Sequence, residues 1–185
     1  MIRERFIKLA LFNRLPKISQ VAPVYALIVL MIYSWTILWF FWRLPSWLFF
    51  MSISEISVVF AYAMATNFLE SLLILMMPVV LCLLLPKKWF YDKFVVQGAS
   101  LAILVLGYSM WFTLRIQNED GYPKQLLLLT IPVIGIIGIL VYLSGKIGLV
   151  RKIIEALSDR AIIFLYLSIP ISLISLGVVL IRNLF

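Results

Sequence analysis

The chain has 185 residues, of which 64% are hydrophobic and only 13% charged, with a mean hydropathy of +1.11. A water-soluble domain carries roughly 45–50% apolar and about 25% charged residues, so this chain lacks the polar surface to cover a soluble particle, and a bilayer is the solvent that suits it. Histidine is absent and Cys82 is the sole cysteine. That removes a histidine general base, a histidine-ligated metal, an internal disulfide and a Cys/His dyad. No catalytic set, metal site or cofactor is expected, and Cys82, within an apolar run, reads as a small packing residue.

In chain order, a basic segment (2–15) precedes a first apolar stretch at 21–42. Its apolar core is longer than that of a signal peptide and runs into Trp39-Phe40-Phe41-Trp42-Arg43 with no small-residue cleavage site, which predicts an uncleaved anchor. A loop at 43–56 leads to a second stretch, 57–85. At 29 residues and about 43 Å it exceeds the hydrocarbon core and must tilt, protrude or break. A basic connection follows, then a third stretch at 94–114, and a loop in which Asn118-Glu119-Asp120-Gly121-Tyr122-Pro123 is a strong turn signal. The fourth stretch is 125–143. Residues 144–160 place Val150, Ile153, Ile154, Leu157 and Ala161 on one helical face and Arg151, Lys152, Glu155, Ser158 and Asp159 on the other, which predicts an amphipathic helix lying on the cytoplasmic surface. The fifth stretch is 161–181. The expected fold is therefore all-α: one integral membrane domain, a bundle of five transmembrane helices with an amphipathic interface helix, four of the spans near the ~20 residues a bilayer demands.

Charge sets the expected orientation. Arg3, Arg5, Lys8, Arg14 and Lys17, then Lys87, Lys88 and Lys93, then Lys146, Arg151, Lys152 and Arg160 fall in alternate connections and make up twelve of the sixteen basic residues. The positive-inside bias puts the N-terminus in the cytoplasm and the C-terminus outside, in the plasma (inner) membrane. The net charge of +8 is thus an address that also favours anionic lipid headgroups. It does not call for nucleic acid.

Glu70 is the one charged residue well inside a stretch, and an intramembrane ionisable group is a functional candidate by default. Asn67 and Thr66, three and four residues earlier, are expected on the same face. The carboxylate could carry protons, hold a cation or bind a cationic headgroup. It could instead hydrogen-bond a neighbouring span or pair with Arg43 or Arg115. Its depth depends on whether the core begins at Ser57 or at Thr66. Trp35, Trp39 and Trp42, followed by Trp47, read as an outer aromatic belt, and Trp89 beside Lys87 and Lys88 as its inner counterpart. Small residues four apart (Ala61 and Ala65, Gly98 and Ala102, Ser168 and Ser172), with Gly135 and Gly138, mark close helix contacts.

These features favour a non-catalytic membrane subunit, scaffold or module with a protein partner or a second copy of itself, against a small proton- or cation-coupled carrier built on Glu70. Five spans, a cytoplasmic N-terminus, an external C-terminus and an outer aromatic region also resemble the membrane portion that precedes the external catalytic domain of sulfatase-type phosphoglycerol and phosphoethanolamine transferases. The sequence ends at Phe185, just after the fifth stretch. The resemblance therefore implies a membrane module acting with a separate lipid- or glycan-modifying enzyme.

Overall fold

A chain in hydrocarbon must satisfy its own backbone hydrogen bonds, and a helix does so within one segment. The computed structural model, which describes residues 15–87, 89–116 and 124–184, is built on that solution. Its elements are α1 (Ile18–Trp47), α2 (Ile53–Leu84), a short 3-10 turn (Tyr91–Lys93), α3 (Phe94–Ile116), α4 (Lys124–Ser144) and α5 (Gly148–Leu184). No strand occurs among the described residues. Helices α1, α2, α3 and α5 are long and apolar enough to cross a membrane, and the Leu128–Ser144 part of α4 is a shorter apolar helix. The protein is a helical membrane bundle. The basic segment at 2–14 and the turn at 118–123 lie outside the described residues.

Three boundaries differ from those the hydropathy implies. Helix α1 continues past Arg43 and Pro45 to Trp47, which shortens the first connection to a few residues. A charge ends an apolar run but not a helix. Helix α2 is one unbroken 32-residue helix, about 48 Å long. It is opened by a capping box in which Ser52 Oγ accepts from Glu55 N (3.4 Å) and Glu55 Oε2 accepts from Ser52 N (2.8 Å). It closes at Leu85, whose extended backbone (φ −86°, ψ 155°) is what the following Pro86 requires.

The third difference is a correction. The separate amphipathic interface helix does not exist as such: residues 148–160 are the first turns of the 37-residue α5, about 55 Å long. Ser158-Asp159-Arg160-Ala161 contains neither glycine nor proline, so nothing there turns the chain into the membrane plane. Ile154 packs on Val96 and Ala99 of α3, while Ile153 and Leu157 are exposed.

Packing is inverted relative to a soluble bundle. Lipid is as apolar as leucine, so large side chains gain little by turning inward and small ones let backbones approach. On α5, Ser158, Ala161, Ser168, Ser172 and Ser175 are buried, while Ile163, Tyr166, Leu167 and Ile174 face out. Helix α1 is the hub, packed against α2, α3 and α5, and buries Val24, Ala26, Leu27 and Ile28 completely or nearly so. Gly98 of α3 sits where three helices meet, its missing Cβ 3.4 Å from Val24 of α1 and 3.5 Å from Pro78 of α2. Helix α4 packs chiefly on α3, through Ser100–Ser144 (2.9 Å) and Tyr108–Thr130 (2.8 Å) hydrogen bonds.

Candidate functional site

Three helical faces converge around Glu70. Helix α1 contributes Ile32, Trp35, Thr36 and Trp39, spaced i, i+3, i+4 and i+7, and α3 contributes Leu106, Ser109, Met110 and Thr113 with the same spacing. Glu70 enters from α2, opposite Ile32 and Leu106, which lie near the midpoints of their helices. These residues, Trp39 apart, line an open cavity of about 110 Å³, and Glu70 borders it from an exposed position on the surface of the bundle. A second cavity of about 340 Å³ adjoins it, sharing Trp35, Thr36 and Thr113. It extends toward the α1–α2 connection between Trp39, Phe40, Arg43 and Trp47 on α1 and Val59 and Ala63 on α2. The result is a cleft with a carboxylate at its floor, aromatic walls and a guanidinium near its mouth.

The polar groups around the cleft have distinct partners. Thr36 Oγ1 donates to Asn67 Oδ1 (2.9 Å), tying α1 to α2 beside the floor. Asn67 is 4% exposed, and its Nδ2 is buried without a hydrogen-bond partner. Ser109 and Thr113 donate to the carbonyls one turn earlier, Val105 and Ser109 (both 2.9 Å), which leaves their hydroxyl lone pairs able to accept. No described residue hydrogen-bonds or ion-pairs with the Glu70 carboxylate. Neither the interhelical hydrogen bond nor the pairing with Arg43 or Arg115 is present. Arg43 lies instead 5.9 Å over the Trp39 ring and Arg115 5.9 Å over that of Trp111. Among the described residues the ion pair formed is Arg151–Glu155, at 2.9 Å on exposed α5.

The expected trio separates. Asn67 turns inward against Thr36, Glu70 lines the cavity from an exposed position, and Thr66, also exposed, donates to its own helix at Tyr62 O (2.9 Å). The tryptophans separate too. Trp35 and Trp39 meet edge to face (centroids 5.8 Å apart), and Trp47 packs on Phe40 (5.4 Å), all lining the cleft, whereas Trp42 is 81% exposed and takes no part. Trp89 lies at the opposite end of the bundle, against Tyr142 (5.7 Å). Thr36, Ser109 and Thr113 are the polar cleft residues that sequence reasoning did not select. Their signal was a hydroxyl recurring on the Trp35/Trp39 face of α1 and on one face of α3.

The glycine pairs also part company. Gly98 and Ala102 are in tight interior positions, but a Cβ at Gly135 or Gly138 would meet nothing within 4 Å. The two α4 glycines therefore face open space and not a neighbouring helix of this chain.

Neither a protein-family model, nor a curated protein, nor a solved structure matches the chain. The functional reading rests on the residues themselves.

Proposed function

We propose that the protein is a small, non-catalytic membrane module that takes up a proton or a small cation at Glu70. The observation that carries this reading is the unpartnered carboxylate at mid-height of an apolar bundle, on the floor of a cleft that leads toward the α1–α2 end. An ionised carboxylate among apolar helices is costly unless something neutralises it. No described residue supplies a counter-charge, so a proton or cation neutralises it, and the hydroxyls of Thr36, Ser109 and Thr113 are placed to coordinate or solvate it. Under the positive-inside bias the cleft faces the exterior.

A hydrophobic carbodiimide tests the reading, because it modifies protonated carboxyls inside membranes and leaves ionised ones. In proteoliposomes Glu70 is expected to be modified and to be protected by the cation it binds. Glu70→Gln is expected to abolish that adduct. Modification of other carboxyls with Glu70 untouched at every pH would overturn the proposal.

A second reading is a subunit of a larger assembly. It is favoured by α4, which packs chiefly on α3 and leaves Leu128, Ile131 and Ile134 uncovered. Extraction in mild detergent at native expression distinguishes the two. A stoichiometric partner supports the subunit reading, and a chain that purifies alone or as a homo-oligomer removes it.

A further inference from the structure

A cavity larger than either of those near Glu70 lies away from it, at the end of the bundle that carries the α2–α3 and α4–α5 connections. It is a groove of about 600 Å³ between the last turns of α2, the first half of α3 and α4. Its walls are largely apolar, with Leu81, Leu85, Leu101 and Ile139 beside the rings of Trp89, Phe90 and Tyr142, and its α4 side passes over Gly135 and Gly138. Those two glycines meet no atom of this chain, so the groove is a space the protein leaves unfilled along a strip with no side chains. A close-packed interior forfeits dispersion contacts around such a space. An elongated apolar occupant would restore them.

Two further observations fix the chemistry of that occupant. Gln97 lines the groove at 3% exposure, and its Oε1 is buried with no hydrogen-bond partner. A buried acceptor left unpaired is unfavourable, and a donor brought by a ligand relieves it. The rim is cationic. Lys146 Nζ lies 4.5 Å over the Tyr142 ring, which itself lines the groove and packs on Trp89. Lys87 lies 5.9 Å over Tyr91, and Lys93 donates to Gly145 O beside Gln97. With Lys88, the two connections contain four lysines against one carboxylate, Asp92.

We infer that this groove binds one anionic phospholipid, with an acyl chain along Gly135 and Gly138, the phosphate between Lys87 and Lys146, and a headgroup donor on Gln97. Basic pockets between membrane helices hold anionic headgroups by this combination of charge and apolar depth. A convex helix surface wetted by bulk lipid has neither the concavity nor the buried polar group. The site is independent of Glu70, and its failure would leave the proton or cation proposal untouched.

The test is native mass spectrometry of the protein released from nanodiscs of equal phosphatidylserine and phosphatidylcholine. The wild-type chain is expected to retain one phosphatidylserine. Gly138→Leu, which fills the strip, should lose it, and Lys87→Gln with Lys146→Gln should weaken retention roughly 25-fold at about 1 kcal/mol per lysine. Both lysines are exposed, so the double variant reports even where Gly138→Leu does not fold. Equal retention of phosphatidylcholine, or undiminished retention in the lysine variant, would overturn the assignment. So would displacement by water-soluble glycerophosphoserine, since a headgroup without chains does not need the groove.

Discussion

Tyr33 of α1 and Ser172 of α5, both buried, share a hydrogen bond, and Ser172 Oγ in turn reaches Ser168 O at 2.6 Å. Interhelical bonds of this kind in membranes are worth about 0.6 kcal/mol on average and about 1.7 at most. A double-mutant cycle of Tyr33→Phe and Ser172→Ala, read by unfolding in bilayer-like detergent, is expected to return a coupling in that range. The same scale governs Thr36 and Asn67, except that Asn67 already holds an unpartnered Nδ2. Thr36→Val is therefore expected to destabilise the chain by about 1 kcal/mol and to slow carbodiimide modification of Glu70 by loosening the cleft floor. Glu70 was legible in the sequence because a lone charge in an apolar run stands out. Thr36, Ser109 and Thr113 were not, because serine and threonine hydroxyls in membrane helices ordinarily bond their own i−4 carbonyl and reveal no third partner. Two of these three do so here, and only the three-dimensional arrangement shows where their remaining lone pairs point.

At the scale of elements, hydropathy located the five long helices of the described residues, and the errors cluster where charge and helicity part. Arg43 interrupts the apolar run of α1 without interrupting its hydrogen bonds, and residues 151–160 are polar on one side yet wholly helical. Spin labels at the exposed positions Arg151 and Ile174 put the second case to the test. A single straight α5 separates them by about 35 Å along its axis, whereas a helix turning into the membrane plane at 160 brings them to about 25 Å. Glycine provides a second contrast. A Cβ on Gly145, just beyond α4, would stand 2.9 Å from Gln97 Nε2 and 3.1 Å from Lys93 Cδ, inside normal contact. Gly145→Ala is expected to lower thermal stability by pushing Gln97 and Lys93 aside. Gly135→Ala, unobstructed and within a helix, should raise it by roughly 0.5–1 kcal/mol through reduced backbone freedom. Sequence spacing alone treated Gly98, Gly135 and Gly138 alike as packing positions and passed over Gly145. What separates them is the presence or absence of a neighbouring helix, which no spacing encodes.

For the molecule as a whole, the alternating lysine and arginine content predicts that the α1–α2 connection and the α4–α5 connection lie on opposite sides of the membrane. Single cysteines at Phe49 and Lys146, in a Cys82→Ala background, are expected to react with an impermeant maleimide from opposite faces of intact cells. Reaction of both from one face would refute the five-crossing topology. The Tyr33–Ser172 bond also has a consequence in time. Its two ends are 139 residues apart, the longest separation of any hydrogen bond described between side chains. At roughly 5–20 residues per second, synthesis delivers Ser172 some 7–28 seconds after Tyr33. The central helix of the bundle therefore waits, with a phenol hydroxyl and a wide flank uncovered, until the last helix leaves the ribosome. During that interval a chaperone, the translocation machinery or lipid must occupy the place that α5 later takes, and a chain stalled before residue 148 is a ready substrate for membrane proteases.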